Sequence, residues 1–488
     1  MRVLFVASEA VPLVKTGGLG DVAGALPPAL RRLRQDVRLL LPAYPEARAR
    51  AGRLRPAARL TLPPLGEAVL LAGRLPGTSV PLWLLDAPAF RREGHPYTAP
   101  GGHDWPDNPQ RFALLARAAA EIALDRCGLG WRADVLHAHD WQTALAPALL
   151  AAERDRPATV FTIHNLAYRG IYGREVFDAL GLPAAWWHPE ALEFWGAMAF
   201  IKGGLAFADR ITTVSPTYAR EIRTPTHGEG LDGLLRARSE RLHGILNGVD
   251  YALWDPRHDP HLPCRYGPGR LQGKAACKAA LQAELGLEPD PAAPLVVHVG
   301  RLVAQKGVDL LVDAAAALWP RRRFQLAVLG TGDPALERAV RDAAAAHPGR
   351  MAARIGYDEA LAHRMEAGAD LFAMPSRFEP CGLSQLYSLR YGTLPVVRRT
   401  GGLADTVIDA LPHHLRAGLA TGFVFDQAEP WALAEALGRA LDLYRDRRAW
   451  RRLQDTGMGL DFGWPESARQ YLAVYRAAVA DRDAAVLT

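Results

Sequence analysis

Short apolar runs rich in β-branched residues alternate with segments of helical period along almost the whole chain. The strands predicted in the first half are 3–8, 36–41, 134–139, 159–164 and 210–215, and the helices are 20–32, 108–126 and 141–154. A second series begins after residue 247, with strands at 295–300, 325–329, 352–356, 371–374, 394–398 and 422–425 and helices at 307–319, 335–347, 359–368, 384–391 and 432–444. This alternation predicts parallel sheets with helices on both faces. We therefore expect an α/β protein with two Rossmann-like, doubly wound halves that divide near residue 245.

One stretch of the first half departs from this pattern. Between 54 and 87, apolar and polar positions alternate in three runs, 59–62, 68–74 and 80–86, and Pro76–Gly77 stands between the last two. Period-two alternation around a Pro-Gly turn predicts antiparallel strands. We therefore expect a β-hairpin insertion near 54–87.

The composition is that of a folded protein. Hydrophobic residues make up 49% and charged residues 23% of the 488 residues, and 58 Lys+Arg against 52 Asp+Glu leave a net charge of only +6. The basic residues are scattered, and the densest stretch, 445–452, has the spacing of a solvated helix face, so no nucleic acid partner is expected. The length indicates two to three domains.

The cysteines and the apolar runs indicate in which cellular compartment the protein is expected. The 4 cysteines show no C-x-x-C pair and no companion histidines at zinc spacing, so we interpret them as reduced thiols. Glu9 interrupts the N-terminal apolar run, so we interpret that run as a buried strand rather than a signal peptide. No apolar run reaches the length of a membrane span. A cytoplasmic protein without a membrane partner is therefore expected.

The glycine-rich segment Lys15-Thr-Gly-Gly-Leu-Gly precedes the first predicted helix. Backbone N–H groups and the positive end of a helix dipole bind anions at such a point, and Lys15 adds a positive charge. The alternative is a tight turn in which glycine supplies a positive φ. The match of Gly18-x-Gly20-x-x-Ala23 to a dinucleotide fingerprint is weak, because no acidic residue ends the second strand. The segment therefore favours a phosphate-bearing ligand over a nicotinamide cofactor.

Charged residues follow two strands of the second series. Arg301 and Lys306 follow its first strand, and Glu379 follows its fourth. Two such cations could neutralise a diphosphate without a metal ion, although ordinary surface cations would show the same pattern. Glu379 could hold sugar hydroxyls or stabilise positive charge at an anomeric carbon, or it could simply be a charge at a helix N-terminus. Because ligands of such sheets bind outside the carboxyl ends of the strands, we expect the site in a cleft between the halves.

Polar and aromatic side chains also follow two strands of the first half. They are His139, Asp140 and Trp141 after one strand, His164 and Asn165 after the next, and Tyr97 and Trp105 in the loop after the hairpin. Aromatic rings beside amides and carboxylates suit pyranose rings, whereas the alternative for strand-end histidines is structural hydrogen bonding. No ligand triad has metal spacing, so no metal is expected.

Taken in order, these motifs resemble the bacterial glycogen synthase and plant starch synthase family, over nearly the whole chain. The segments that carry the resemblance are Lys15-Thr-Gly-Gly-Leu-Gly-Asp-Val, His139-Asp-Trp-Gln, Phe161-Thr-Ile-His-Asn-Leu, Gly244-Ile-Leu-Asn-Gly-Val-Asp, Gly300-Arg-Leu with Gln305-Lys-Gly, Pro375-Ser-Arg-Phe-Glu-Pro-Cys-Gly-Leu and Thr400-Gly-Gly-Leu-Ala-Asp-Thr-Val. Many related retaining enzymes carry a second glutamate eight residues after the first, where Tyr387 stands here. The synthase branch shows the same tyrosine.

The resemblance implies a GT-B fold and a set of site residues. The implied domains are 1–244, on the acceptor side, 245–459, for the nucleotide sugar, and 460–488, a helix that returns to the first domain. The implied catalytic residues are Glu379, His164, Lys15, Arg301 and Lys306. The implied donor-binding residues are Lys15, Gly17, Gly18, Asn247, Arg301, Lys306, Tyr357 (stacked on the adenine), Cys381, Gly382 and Leu383. The implied acceptor-side residues are Tyr97, His139, Asp140, Trp141 and Asn165.

The implied activity is transfer of glucose from ADP-glucose to the non-reducing end of an α-1,4-glucan, with retention of configuration and without a metal or other cofactor. The acceptor would be glycogen or a malto-oligosaccharide, and ADP is preferred over UDP because of the family branch. Front-face attack and a covalent intermediate both remain open. One alternative is a sister retaining GT-B transferase with another donor or acceptor. The other, a non-catalytic glucan-binding protein, is disfavoured because the charged residues Lys15, Arg301, Lys306 and Glu379 are all present.

Overall fold

The computed structural model describes residues 1–100 and 102–487, and the chain divides into two compact units. The first comprises Met1–Gly248 with Trp464–Thr488, and the second comprises Val249–Gly463. The sequence placed these boundaries after 244 and after 459. In the structure the two connecting segments pair with each other, because the Val249 N–H donates to the Phe462 carbonyl at 2.8 Å. Both observed boundaries therefore lie closer to the C-terminus than the predicted ones.

The main sheet of the first unit is built on parallel strands. Its strands are β1 (Arg2–Val6), β2 (Asp36–Pro42), β3 (Arg55–Thr61), β4 (Glu67–Arg74), β5 (Pro81–Asp86), β6 (Val135–His139), β7 (Ala158–Ile163), β11 (Arg210–Thr213) and β12 (Leu242–Gly244). They lie in the order β12-β11-β7-β6-β1-β2-β5-β4-β3. Strand β4 pairs antiparallel with β3 and β5, and β5 pairs in parallel with β2. The 54–87 segment thus extends the main sheet at its edge.

A small antiparallel sheet, β8-β10-β9, stands apart from the main sheet of the first unit. Its strands are β8 (Ile171–Tyr172), β9 (Glu193–Phe194) and β10 (Ala197–Ala199). The sequence did not predict this sheet, since strands of two or three residues are too short to show a period.

Helices connect the strands of the first unit. They are α1 (Gly18–Arg32), α2 (Pro45–Arg50), α3 (Asn108–Ala123), α4 (Leu145–Ala151), α5 (Arg174–Ala179), α6 (Ile201–Phe207), α7 (Pro216–Glu221) and α8 (Asp232–Ala237), with 3-10 turns at Pro88–Phe90, Ala184–Trp186 and Ser239–Arg241. Two predicted helices were too long. Helix α3 ends before 126 because Asp125 has a left-handed φ of +57°, and α4 begins after 141 because Asp140, at φ +55°, leads into a turn.

The second unit is a parallel sheet with helices on both faces, as predicted. Its strands are β13 (Leu295–Val299), β14 (Gln325–Gly330), β15 (Met351–Ile355), β16 (Leu371–Met374), β17 (Leu394–Arg398) and β18 (Phe423–Phe425), in the order β15-β14-β13-β16-β17-β18. Val296 and Leu326 pack in one core cluster, whereas Val297 and Ala327 pack in another. Since neighbouring residues of a strand point to opposite faces, both faces of this sheet are buried.

Helices and a 3-10 turn complete the second unit. They are α9 (Gln272–Leu285), the turn Ala304–Lys306, α10 (Val308–Leu318), α11 (Pro334–Ala346), α12 (Glu359–Gly368), α13 (Ser384–Tyr391), α14 (Gly401–Thr406), α15 (Pro412–Ala417), α16 (Pro430–Leu443) and α17 (Arg447–Met458).

The C-terminal helix α18 (Trp464–Leu487) returns to the first unit, which confirms that part of the predicted fold. It packs on α1 and on β6, β7 and β11. The Tyr475 hydroxyl lies 2.7 Å from Nδ1 of the buried His137, and Asp481 forms an ion pair with Arg210 at 2.7 Å. Of the helices in residues 1–100 and 102–487, none is both long enough and apolar enough to cross a membrane.

Candidate active site

The glycine-rich loop lies between β1 and α1 in the first unit. Lys15 Nζ pairs with Asp21 Oδ1 at 2.7 Å, and both side chains are partly exposed. Gly17 is extended, with φ −156°, and Gly18 begins α1. A Cβ built on Gly18 would meet no described atom within 4 Å. Neither a left-handed φ nor close packing therefore explains these two glycines, so the tight-turn alternative is wrong and open space is left beside the loop.

Glu9 fixes this loop from inside the protein. Its side chain is only 3% exposed, and its carboxylate accepts hydrogen bonds from the Thr16 N–H, from Thr16 Oγ1 at 3.0 Å and from the Gly17 N–H at 3.2 Å. Burial raises the pKa of Glu9 to about 7, against the lowering effect of these hydrogen bonds. The prediction that the loop presents its N–H groups to an anion is thus wrong for Thr16 and Gly17, whose N–H groups face Glu9.

Sequence reasoning used Glu9 only as an argument against a signal peptide. The available signal was an acidic residue directly after a buried strand and before a glycine-rich loop, where a carboxylate can accept several backbone hydrogen bonds.

The carboxyl ends of β6 and β7 bring the two predicted histidines into contact. His139 Nδ1 lies 2.9 Å from His164 Nε2, and both rings are buried. Burial lowers the pKa of His164 to about 3 and holds that of His139 well below its ordinary value, so both are neutral at physiological pH. His139 Nε2 is buried without a hydrogen-bond partner among the described residues. The pair therefore presents neutral imidazoles suited to sugar hydroxyls.

Asp140 organises the segment that follows β7. Its Oδ1 accepts hydrogen bonds from the His164 N–H at 2.7 Å and from the Asn165 N–H at 3.4 Å. Burial raises the pKa of Asp140 to about 7. Asp140 therefore holds the backbone of His164 and Asn165 in place.

Trp141 and Tyr97 are directed into the first unit. The buried Trp141 ring lies 5.1 Å from the Phe112 ring and 6.1 Å from the Tyr172 ring, measured between centroids. The Tyr97 hydroxyl lies 2.7 Å from Ser8 Oγ, two residues after the end of β1, and burial raises the pKa of Tyr97 well above 10. These rings support the loops around β1 and β6. Trp105, in the same loop as Tyr97, stacks under Arg92 with 4.8 Å between guanidinium and ring.

In the second unit, the predicted carboxylate and lysine form one group. Lys306 Nζ lies 2.6 Å from Glu379 Oε2, and Ser376 Oγ donates to the same oxygen at 3.0 Å. Glu379 is 5% exposed. The Glu379 carboxylate is therefore held by two specific partners. A carboxylate that only interacts with a helix N-terminus would not need them, although Glu379 also lies close to the start of α13.

Two glycines make this arrangement possible. Gly307, with φ +68°, lets the chain turn after Lys306, and a Cβ there would lie 2.1 Å from the Pro375 carbonyl oxygen. Gly401, with φ +45°, would place a Cβ 1.8 Å from the Glu379 carbonyl oxygen. Both positions require glycine for conformation and for close backbone approach. They hold the Lys306 turn and α14 against the Glu379 segment.

His298 is a further candidate site residue, which the sequence did not indicate. Its Nδ1 lies 2.9 Å from the Ala373 carbonyl oxygen, while its Nε2 is buried and lacks a hydrogen-bond partner in the described part of the chain. Burial lowers the pKa of His298 to about 4, and the charges of Lys306 and Glu379 act on it as well. A histidine inside a buried strand gives no signal in the sequence that separates it from a core residue.

The Cys381-Gly382-Leu383 turn connects this group to α13. Cys381 is buried, and its carbonyl accepts a hydrogen bond from Gln385 Nε2 at 3.0 Å. Gly382 has φ +74°, and a Cβ there would lie 2.4 Å from Gln385 Oε1. Tyr387, at the position of the second glutamate of related enzymes, stacks on Trp254 at 3.9 Å between ring centroids. Its ring is thus part of a core cluster.

The predicted donor residues follow three strands of the second unit. Tyr357 follows the edge strand β15, Arg301 follows β13, and Glu379 follows β16. The Tyr357 ring is 74% exposed, and its hydroxyl donates to Glu359 Oε2 at 2.8 Å. With strands about 4.8 Å apart, β15 lies about 10 Å from β13, and β16 is one strand further.

Asn247 belongs to the first unit, where its side chain is buried and its Oδ1 has no hydrogen-bond partner within residues 1–100 and 102–487. Buried polar atoms are almost always paired in proteins, so an unpaired one is a candidate for ligand contact. In the described residues, no group of three or more His, Cys, Asp or Glu side chains is arranged to hold a metal ion.

Comparison with known proteins identifies families and individual proteins to which the chain is similar. The starch synthase catalytic domain family matches residues 2–237, and the family of glycosyl transferases group 1 matches residues 286–453. A glycogen synthase of Thioalkalivibrio sulfidiphilus is 58% identical over 98% of this chain and 99% of its own length. The chain belongs to the glycogen and starch synthase family. Glycogen synthase 1 of Methylococcus capsulatus is 57% identical over 99% of this chain and 98% of its own.

Solved structures show the same fold for this synthase family member. The catalytic domain of starch synthase IV from Arabidopsis thaliana, bound to ADP and acarbose, matches with a TM-score of 0.88 and 33% identity, over 98% of this chain and 99% of that one. A sucrose-phosphate synthase from Thermosynechococcus elongatus matches with a TM-score of 0.61 at 19% identity, over 98% and 99%, which shows only a shared fold. The predicted GT-B fold and the glycosyltransferase activity are thus confirmed.

Proposed function

We propose that this chain is a glycogen synthase that transfers glucose from ADP-glucose to the non-reducing end of an α-1,4-glucan and retains the anomeric configuration. The observation that carries the proposal is the Lys306–Glu379–Ser376 group after the central strands, in a chain 58% identical over 98% of its length to a glycogen synthase. The starch synthase IV relative was solved with ADP and acarbose, which supports an ADP-bearing donor and a sugar acceptor.

The strand order of the second unit supports an extended binding mode for the donor. The adenine would stack on Tyr357 after β15, the diphosphate would lie at Arg301 after β13, and the glucose would lie at Glu379 after β16. Two strand spacings, about 10 Å, separate the first of these positions from the second. This order of base, diphosphate and sugar matches the covalent order of ADP-glucose. The Cys381-Gly382-Leu383 turn is proposed as a further donor contact.

Glu379 and Lys306 are proposed to act on opposite charges of the transition state. Positive charge develops at the anomeric carbon as the bond to phosphate breaks, and the Glu379 carboxylate stabilises it. Negative charge develops on the departing phosphate, and an ammonium group with three N–H donors binds it. Lys306 Nζ lies 2.6 Å from Glu379 Oε2. On this proposal, one ion pair that exists before the substrate binds would stabilise both the positive charge at the anomeric carbon and the negative charge on the phosphate.

The acceptor-side proposal rests on the end of β7. His164 uses Nε2 toward His139, so contact with a sugar hydroxyl would be made through Nδ1. Asp140 holds the backbone of His164 and Asn165. Tyr97 and Trp141 are proposed to shape this region through the loops they support.

We also propose that the reaction needs no metal ion. Arg301 and Lys306 supply two positive charges for the diphosphate of the leaving group, and Arg can bind it in a bidentate manner. The corresponding test is the rate of ADP release before and after treatment with excess EDTA, followed by addition of Mg²⁺. We expect equal rates throughout. A loss of activity in EDTA that Mg²⁺ restores would contradict this part.

The donor is tested by comparing kcat/KM for ADP-glucose and UDP-glucose, with glycogen as acceptor and release of the nucleoside diphosphate as readout. We expect ADP-glucose to give the higher value. Equal or reversed values would contradict the proposed donor while leaving the transferase activity intact.

A further inference from the structure

The hairpin between β9 and β10 carries an unusual turn residue. Phe194 pairs with Ala197 in antiparallel register, so the loop consists of Trp195 and Gly196 alone. Both have left-handed backbones, with φ +52° and +82°. Such two-residue turns favour Asn-Gly, and a bulky residue in this conformation is an outlier. The sequence therefore places tryptophan where the backbone disfavours it.

The Trp195 side chain is also directed into solvent. It is 85% exposed. Among the described residues of the first unit, the exposed large hydrophobic side chains are Tyr168, Ile171 and Trp195, and all of them belong to the small sheet or to the segment that leads into it. We call this set the hairpin face. Ile171 pairs with Ala199, at the end of β10 away from the turn, so Trp195 stands at the tip of this face. Exposed apolar side chains on one small sheet indicate a candidate binding surface.

The surroundings of Trp195 favour an uncharged ligand. Arg169 lies over the Phe194 ring at 5.9 Å and is paired with the Glu229 carboxylate at 3.2 Å, so these opposite charges compensate each other. Glu193 Oε1 accepts a hydrogen bond from the Gly196 N–H at 2.6 Å. A flat exposed indole flanked by paired polar groups suits the apolar face and the hydroxyls of a pyranose ring.

The hairpin face is continuous with the proposed acceptor residues. The Tyr168 N–H donates to the Asn165 carbonyl at 3.2 Å. Two residues further along, Gly170 lies so close to Trp141 that a Cβ on it would come within 2.5 Å of the indole. The segment between β7 and the small sheet thus packs on Trp141, and the Tyr172 ring of β8 lies 6.1 Å from the Trp141 ring between centroids. Strand β9, which leads into Trp195, lies two strand spacings, about 10 Å, from β8.

From this geometry we propose that Trp195 is a platform on which the acceptor glucan stacks, at glucose units beyond those at the reacting end. The proposal rests on the proposed function, since it extends the acceptor side of the same enzyme. On this proposal a long chain such as glycogen contacts both the reacting end and the hairpin, whereas maltotriose contacts only the reacting end. Trp195 thus raises affinity for long acceptors without taking part in the chemistry.

The test uses Trp195→Asn, Trp195→Phe and the control Trp431→Ala, which removes an exposed tryptophan from the second unit. Asparagine is well suited to the left-handed turn, so Trp195→Asn should keep the melting temperature or raise it. We expect its KM for glycogen to rise about three- to tenfold, as loss of one aromatic contact predicts, with kcat and the KM for ADP-glucose unchanged. Trp195→Phe should retain most of the affinity. Maltotriose should be used equally well by every variant.

A second measurement does not depend on catalysis. Electrophoretic retardation of the full chain in gels containing glycogen should weaken in Trp195→Asn and persist in Trp431→Ala. The platform is refuted if Trp195→Asn keeps wild-type retardation and KM for glycogen, or if Trp431→Ala loses as much. A change of oligomeric state in Trp195→Asn, measured by light scattering, with unchanged glycogen affinity would refute the platform and indicate that the hairpin face is a contact between copies of the chain.

The failure of the proposed function gives a different result. Wild-type enzyme that is retarded by glycogen but releases no ADP from ADP-glucose would contradict the proposed function, whereas the glycogen-binding role of Trp195 would still be supported.

Discussion

Replacement of the buried Glu9 by glutamine should make stability less dependent on pH. The pKa of Glu9 in the folded chain is about 7, against an ordinary value of 4.5. Below pH 4.5 the carboxyl is protonated in both the folded and the unfolded chain. Between pH 4.5 and 7 only the unfolded chain loses the proton, so stability falls as pH rises. Above pH 7 the ionised group costs the folded state about 3 kcal/mol, at about 1.4 kcal/mol for each unit of pKa.

Glutamine keeps the shape of the protonated acid. Its carbonyl oxygen can accept from the Thr16 and Gly17 N–H groups, and its amide can donate to Thr16 Oγ1. Glu9→Gln should therefore match wild type near pH 4.5 and be more stable at pH 8 by about 3 kcal/mol. The nearby carboxylates of Asp21 and Asp140 are present in both proteins.

Scanning calorimetry of both proteins at pH 5 and pH 8 measures this difference. For a unit of this size the gain at pH 8 corresponds to roughly 6–12 °C in Tm. Only the transition of the first unit should shift, because Glu9 lies within it. The exposed Glu46→Gln serves as control and should change stability by less than about 0.5 kcal/mol. An equal effect of Glu9→Gln at both pH values, or a loss of stability at pH 8, would refute the reasoning.

Two further variants test the second unit. Glu379→Gln should lower kcat at least about a hundredfold with an unchanged circular dichroism spectrum, because it removes the charge that meets the transition state, whereas the exposed Glu435→Gln should not. Activity of Glu379→Gln within tenfold of wild type would show that the carboxylate is structural. Gly307→Ala should lower both Tm and kcat/KM, because its Cβ would lie 2.1 Å from the Pro375 carbonyl oxygen. Gly418→Ala, at the same φ of +68° but in open space, should cost only about 1 kcal/mol, so equal losses in the two variants would contradict this account.

The sequence predicted elements best where the whole strand is buried. Strand β16 (Leu371–Met374) has the predicted bounds, because a fully apolar run between turn signals leaves little choice of register. Helix α13 (Ser384–Tyr391) also has the predicted bounds, and it ends at Gly392, whose left-handed φ of +65° is typical of a helix C-terminus. The position of Glu379 after β16 followed from the same pattern. The small β8-β10-β9 sheet was missed, and with it the exposed Trp195, since two-residue strands carry no period.

The hydrogen-bond partners of the buried polar side chains could not be predicted from the sequence. The contacts of Glu9 with the Thr16 and Gly17 N–H groups depend on where the loop folds back. For the contact of His139 with His164, the sequence indicated only that both lie at the carboxyl ends of neighbouring parallel strands. His298 looks like any other residue of an apolar strand until the tertiary structure brings Lys306 and Glu379 near it.

The central claim is most directly tested by transfer of labelled glucose from ADP-glucose to glycogen, followed by digestion of the product with an amylase specific for α-1,4 linkages. The account predicts ADP release that depends on glycogen, with the label in polymer and rendered soluble by the amylase. No incorporation from ADP-glucose, or label in polymer that the amylase does not release, would contradict it.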